Sequence, residues 1–331
     1  MERVSSMKTR SREVWISAKR IDTNQLYING GQVVPTLWGR ELFVDKTNGV
    51  DTNDGLTPEY ALKTMTGLKA KLLSYGSTAN GWTVYVFSGY FEESVVIPDY
   101  EDYPSYIKII GVGNDYYSPS WYSGSATEPC FVMGAVGWTI SGFRFYVPAT
   151  DAGIIVPCTI GTGWADAIGV RTKIENCYFD GSVYTGKYGI DLHGAPYNVS
   201  IRNNKFGFLT ASGACGIVST ETSYADAYRT EIVGNWFHES TGGIDASLNV
   251  SLITDNVIQA GGANTMTTCL DLRGGTIGKN IITRNHLNGD YSNTGGYYAG
   301  TSDDWIGNFA SDVAEAEVDA NSGLTIAVPA A

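Results

Sequence analysis

The sequence predicts an all-β right-handed parallel β-helix, a solenoid of stacked coils with an N-terminal arm and a short helical cap. Three observations carry the prediction. The 331 residues include 40 Gly and 21 Tyr but only 17% charged side chains, a composition of strands and turns. A six-residue pattern of buried positions recurs along the chain. A second strand-like segment follows most of its copies.

Four segments are expected, in chain order. Residues 1–40 form a basic arm: the first twenty hold six basic side chains against Glu2 and Glu13, so the remainder of a chain of net charge −12 stands at −16. Residues 41–80 form a cap, because an open solenoid end would otherwise pair with other chains. Within the cap, Asp54-Gly55-Leu56-Thr57-Pro58 is a turn leading into a helix from Pro58 to Leu73. Thr57 serves as N-cap and Pro58 takes the first helical position.

Residues 81–300 form the solenoid, opening with strands from Trp82 to Phe87. The repeat places an aliphatic residue first, a buried residue three positions later and an apolar residue two further on. It runs Ile107, Ile110, Val112; Ile140, Phe143, Phe145; Ile174, Cys177, Phe179; Ile201, Asn204, Phe206; Ile232, Asn235, Phe237; Ile253, Asn256, Ile258; and Ile282, Asn285, Leu287. First residues are separated by 33, 34, 27, 31, 21 and 29 positions, as expected when coils keep their strands and vary their loops. The second strand recurs around Ile154, Ile190, Ile217, Ile244 and Leu270, so at least two parallel sheets are predicted. The aligned asparagines have two readings: a ladder bonded along the axis, or tight turns tolerating left-handed geometry.

Residues 301–331 form an acidic and apolar closing segment, with six acids and no base between Asp303 and Asp319. The acidic balance argues against nucleic acid as a partner. No run of 18 apolar residues provides a membrane span, and the basic N-terminus lacks the apolar stretch of a signal peptide. Cys130, Cys158, Cys177, Cys215 and Cys269 lack metal-site spacing and are expected to be buried thiols in a protein folded in a reducing cytoplasm. His193, His238 and His286 fall in three different coils, and neither metal nor cofactor is expected.

The stretch Phe43-Val44-Asp45 through Asn48-Gly49 and Asp51-Thr52-Asn53-Asp54-Gly55-Leu56-Thr57-Pro58 to Lys63-Thr64-Met65 resembles the opening segment of many pectate-lyase-like β-helix proteins. Upstream, Ile16-Ser17-Ala18-Lys19-Arg20 through Asn24-Gln25-Leu26-Tyr27-Ile28 to Pro35-Thr36-Leu37-Trp38-Gly39 resembles the start of β-helix proteins encoded by tailed phages. The resemblance implies a virion surface protein, a head decoration, spike, fibre or tailspike, whose early segment attaches the shaft to the particle. On that footing Arg10, Arg12, Trp15, Lys19, Arg20, Tyr27 and Trp38 are expected to meet capsid or tail proteins, and a homotrimer is expected.

Two groups of residues are candidates for chemistry. Asp191, Asp245 and Asp271 form an outward stripe: Asp245 and Asp271 on neighbouring coils, Asp191 two coils from Asp245. Those separations match the carboxylate pairs of retaining and inverting glycoside hydrolysis. The alternative is that each Asp bounds a turn or faces water. Tyr116, Tyr117, Trp121, Tyr122, Tyr297, Tyr298 and Trp305 are expected in exposed loops, serving a subunit interface or glycan stacking. The sequence favours a non-enzymatic virion structural protein that contacts host glycans. A polysaccharide-degrading tailspike, hydrolase or lyase, and a glycan-binding adhesin without cleavage remain as alternatives.

Overall fold

The computed structural model describes residues 26–28, 31–33, 40–98, 101–113, 119–158, 169–220, 226–259, 266–272, 274–288, 297–298, 302–310 and 316–320. The chain divides into two units, Met1–Gly39 and Arg40–Ala331. In the first, Leu26–Ile28 and Gly31–Val33 pair antiparallel.

The second unit is a parallel β-helix with three sheets. The first sheet stacks Glu41–Val44, Thr83–Phe87, Lys108–Val112, Thr139–Ser141, Lys173–Glu175, Ser200–Arg202, Glu231–Val233, Leu252–Thr254, Ile281–Thr283 and the start of Asp304–Ala310. The second stacks Tyr90–Glu92, Ser120–Tyr122, Arg144–Tyr146, Tyr178–Asp180, Lys205–Gly207, Trp236–His238, Val257–Gln259 and His286–Asn288. The third stacks Val95–Ile97, Phe131–Met133, Ala152–Cys158, Tyr188–Gly194, Cys215–Val218, Gly242–Asp245, Thr268–Asp271 and Tyr297–Tyr298. We number the coils 1 to 8 by these third-sheet strands, with Asp304–Ala310 as coil 9. At about 4.8 Å per coil, eight coils give a shaft of roughly 40 Å. Ala316–Ala320 then pairs antiparallel with Asp304–Ala310.

Strand period two turns alternate side chains inward. The second sheet sends in Phe145, Phe179, Phe206 and Phe237, stacked with ring centroids 5.2, 4.9 and 4.6 Å apart. Glycines of the third sheet make room for these rings. A Cβ on Gly189 or Gly216 would lie 2.5 Å from Phe206 or 2.4 Å from Phe237.

The asparagines form the axial ladder. Oδ1 of Asn235 accepts the backbone N–H of Asn204 at 2.9 Å, and its Nδ2 donates to Ile201 O at 2.9 Å. Asn256, Asn285 and Asn308 repeat the arrangement, and all are buried. The left-handed geometry belongs to the preceding residue: Asn203, Gly234, Asp255, Arg284 and Gly307 all have φ between 53° and 67°. The ladder reading holds for these asparagines, and the left-handed turn sits one residue before the position the other reading gave it.

Several expectations are corrected. Ile109, not Ile107, is the residue in register with Ile140, and Trp121 stands opposite Phe145 where Val112 was expected. On coil 2 seven residues lie between Lys108–Val112 and Ser120–Tyr122, so the six-residue spacing fails there. The helix is α1, Met65–Tyr75, preceded by a single 3₁₀ turn at Pro58–Tyr60. Residues between them stay extended because Leu62 bridges to Val44 and Asp51 Oδ1 accepts the N–H groups of Lys63 and Thr64, both at 2.9 Å. Thr64 caps α1 through Gly67 N, and the Glu93 carboxylate accepts from Met65 N and Thr66 N. Met65, Leu68 and Leu72 face Val95, Ile97 and Trp138 along an apolar seam. Coil 9 carries the solenoid past residue 300.

Candidate functional site

The outer face of the third sheet carries the predicted acids in strict register. Along the axis its central positions are Val96, Val132, Ile155, Asp191, Val218, Asp245, Asp271 and Tyr298. Asp245 and Asp271 stand on consecutive coils, about 4.8 Å apart at the backbone. Asp245 is exposed and Asp271 half-buried. Asp191 departs from the expected solvent-facing stripe, being only 3% exposed. Its Oδ1 accepts from Thr220 N at 3.0 Å, and its Oδ2 accepts from the Thr220 hydroxyl and approaches His193 Nδ1 at 3.3 Å.

Thr220, His193 and Asp191 have the residue types of a nucleophile–base–acid relay. The geometry is not that of a relay. Thr220 Oγ1 meets His193 at Nδ1, 3.1 Å away, the same nitrogen that faces Asp191. A relay needs the two partners on opposite ring nitrogens. The trio instead ties coil 4 to the segment after coil 5. Nearby, burial raises the Asp151 pKa, with Asp191 adding to the effect and His193 and Lys187 opposing it.

The second sheet presents a different outer face, which the sequence reading missed. One stripe runs Arg144, Tyr178, Lys205, Trp236, Val257 and His286 on coils 3 to 8. Cations and rings alternate along it: Arg144 lies 5.5 Å from the Tyr178 centroid, and Lys205 Nζ lies 4.9 Å from Tyr178 and 4.6 Å from Trp236. Arg144 is also paired with the buried Asp180 carboxylate. Trp236 is 42% exposed, and its register partner on coil 7 is Val257. His238 packs 5.0 Å from Trp236, and burial followed by the Lys205 charge holds its pKa below the usual value. A second cluster lies at coils 1 to 3, where Tyr184 stacks on Tyr122 at 4.0 Å and bonds the Tyr90 hydroxyl at 3.2 Å. The signal in the sequence was the pair of residues flanking each inward Phe, such as Tyr178 and Asp180 or Trp236 and His238.

The predicted aromatic residues are placed otherwise. Trp121 and Trp305 are core residues, 0% and 1% exposed, because each occupies the inward position of a strand. Trp121 Nε1 donates to Glu93 O at 2.8 Å. Tyr122 is buried beneath Tyr184 rather than exposed in a loop. Tyr297 and Tyr298 form the last strand of the third sheet. Tyr116 and Tyr117, and of the attachment residues Arg10, Arg12, Trp15, Lys19, Arg20 and Trp38, lie outside the described residues. Tyr27 lies in the strand Leu26–Ile28.

No protein-family model and no curated protein matches this sequence. Among solved structures, the GH136 lacto-N-biosidase from Eubacterium ramulus is similar with a TM-score of 0.56 at 12% identity, over 83% of this chain and 56% of that one. The likeness shows the fold. The chain thus spans just over half of that enzyme's length. An alginate lyase from Paenibacillus is similar at 0.48 and 16% identity, over 73% of this chain and 84% of the lyase. The tailspike of Acinetobacter baumannii bacteriophage Fri1, a capsular polysaccharide depolymerase, is similar at 0.39 and 12% identity, over 88% of this chain and 63% of the tailspike.

Among the described residues no three His, Cys, Asp or Glu side chains are grouped to hold a metal, and no helix is long and apolar enough to cross a membrane. Four of the five cysteines are buried and Cys158 is half-buried, all as free thiols. Burial raises the pKa of Cys130, Cys177 and Cys215.

Proposed function

We propose that this protein is a non-enzymatic structural protein of a tailed-phage virion that meets host-surface glycans with the outer face of its second sheet. The observation that carries the glycan contact is the alternation of rings and cations around the exposed Trp236. Indole faces stack on the apolar faces of sugar rings, and the Lys205 head beside Trp236 supplies donors for hydroxyls. Placement on a virion rests on the resemblance of residues 16–39 to the start of phage-encoded β-helix proteins, with residues 1–40 docking to capsid or tail proteins and the shaft assembling as a homotrimer.

Two experiments test the reading. Antibodies against residues 81–300, applied to purified particles and viewed by electron microscopy, should label the head or the tail; unlabelled particles overturn the virion placement. On a glycan array the intact protein should bind a subset of surface polysaccharides, and Trp236→Ala should weaken that binding at least tenfold, the loss of about 1.4 kcal/mol.

A depolymerase is the second reading, favoured by one observation. Asp245 and Asp271 face outward on consecutive coils at a backbone separation compatible with a retaining carboxylate pair. Release of reducing ends from a bound glycan, abolished in Asp245→Asn, would establish it. Saturable binding without product would leave the non-cleaving reading in place.

A further inference from the structure

The outer face of the first sheet holds a cavity of about 290 Å³ across coils 4 to 6, round the two-residue corner from the stripe of the second sheet. Two stripes line it. Lys173, Ser200 and Glu231 are in register on three successive coils, as are Glu175 and Arg202 beside them. Asn198 and Arg229 enter from the turns that lead into coils 5 and 6.

Its charges are unevenly satisfied. Arg202 is spoken for: it pairs with Glu231, and its Nε donates to Ser200 Oγ at 2.8 Å. Lys173 and Arg229 line the same cavity, both exposed, and among the described residues neither forms an ion pair. Arg229 rests its guanidinium 5.2 Å from the Tyr228 ring, which fixes the stem and leaves the donor edges free.

We infer that this cavity binds an acidic sugar, with Lys173 and Arg229 on its carboxylate and Glu175, Asn198 and Ser200 on its hydroxyls. The mixed lining selects that class. Lys173, Arg202 and Arg229 against Glu175 and Glu231 leave the lining one positive charge over, which suits a monovalent anion better than a multivalent one such as phosphate. Carboxylate and amide oxygens are instead acceptors for the hydroxyl donors that a sugar carries. A monovalent, polyhydroxylated anion satisfies both halves.

The experiment is a calorimetric titration of the full-length protein with a panel of uronate oligosaccharides, neutral oligosaccharides of equal length, and inorganic phosphate. The expected result is saturable binding of at least one uronate, weakened by added salt, with neutral analogues binding at least tenfold more weakly. Lys173→Gln/Arg229→Gln should lose at least tenfold in affinity while keeping its melting temperature, since both side chains are exposed. Binding unchanged in that variant, no uronate binding at all, or phosphate competing as well as the uronate would each overturn the assignment. Trp236→Ala is titrated beside it: affinity lost in Lys173→Gln/Arg229→Gln but kept in Trp236→Ala assigns the uronate to this cavity, whereas affinity lost in Trp236→Ala alone overturns the assignment and leaves the aromatic face as the glycan site.

Discussion

The corner between the first and second sheets is filled in two ways along one shaft. On coils 3 and 4 its buried residue is Phe143 and Cys177; on coils 5 to 9 it is Asn204, Asn235, Asn256, Asn285 and Asn308. The apolar half is packed with large rings, Trp121 stacking on Phe131 and Phe145 at 5.2 and 5.6 Å. Toward the far end the inward residues shrink to Ile258 and Leu287, and hydrogen bonds along the axis take over. The difference shows that one backbone path tolerates either filling, provided each buried polar group finds a partner on the next coil. The two fillings meet at Cys177, whose N–H donates to Asn204 Oδ1 at 3.0 Å.

The comparison can be broken or sharpened by substitution. Phe206→Ala removes the ring between Phe179 and Phe237 and should cost about 3–5 kcal/mol in a denaturant titration, the largest effect foreseen. Asn256→Ala strips the partner from Asn235 N and from Ile232 O in a buried corner, and about 3 kcal/mol should be lost. Cys177→Asn should by contrast change stability by less than about 1 kcal/mol, because the new amide can reach Ile140 O as Asn204 reaches Ile174 O. A loss as large as that of Asn256→Ala would mean that the apolar half cannot accept the ladder.

Smaller effects probe the outer surface. Because the folded state holds the His238 pKa below its unfolded value of about 6.5, protonation favours the unfolded chain. The stability it contributes is therefore present above about pH 6.5 and is lost as pH falls through the lower folded value. Melting temperatures measured from pH 7.5 down to pH 5 should fall, and His238→Gln should flatten that part of the profile. The Asp255–Arg284 pair, 45% and 63% exposed, lowers the Asp255 pKa but is screened by solvent. Arg284→Ala should leave the melting temperature unchanged within error, and a clear drop would show that the αL residues contribute through their side chains.

The repeat was legible where the corner is short and polar. Ile, Asn and Phe at fixed offsets marked coils 5 and 6, and Ile with Asn alone carried coils 7 and 8. It failed on coil 2, where seven residues rather than two separate Lys108–Val112 from Ser120–Tyr122. Trp121 and Trp305 were misplaced because aromatic residues near loops look alike whether they face in or out. Register with Phe145 and with Ile282 decides the matter, and that register is not in the sequence. Asp191 looked like Asp245 in sequence, and the Thr220 contacts that bury it come from 29 residues away.

By itself the sequence determined the solenoid, its inward residues on most coils and the axial asparagines, because strand period and corner chemistry are local and repeat with each turn. Only the tertiary structure decided which outward residues stand beside one another. Loops of unequal length separate coils that sit about 4.8 Å apart, so Lys205 meets Trp236, and Lys173 lines one cavity with Arg229, through stacking that no sequence spacing encodes.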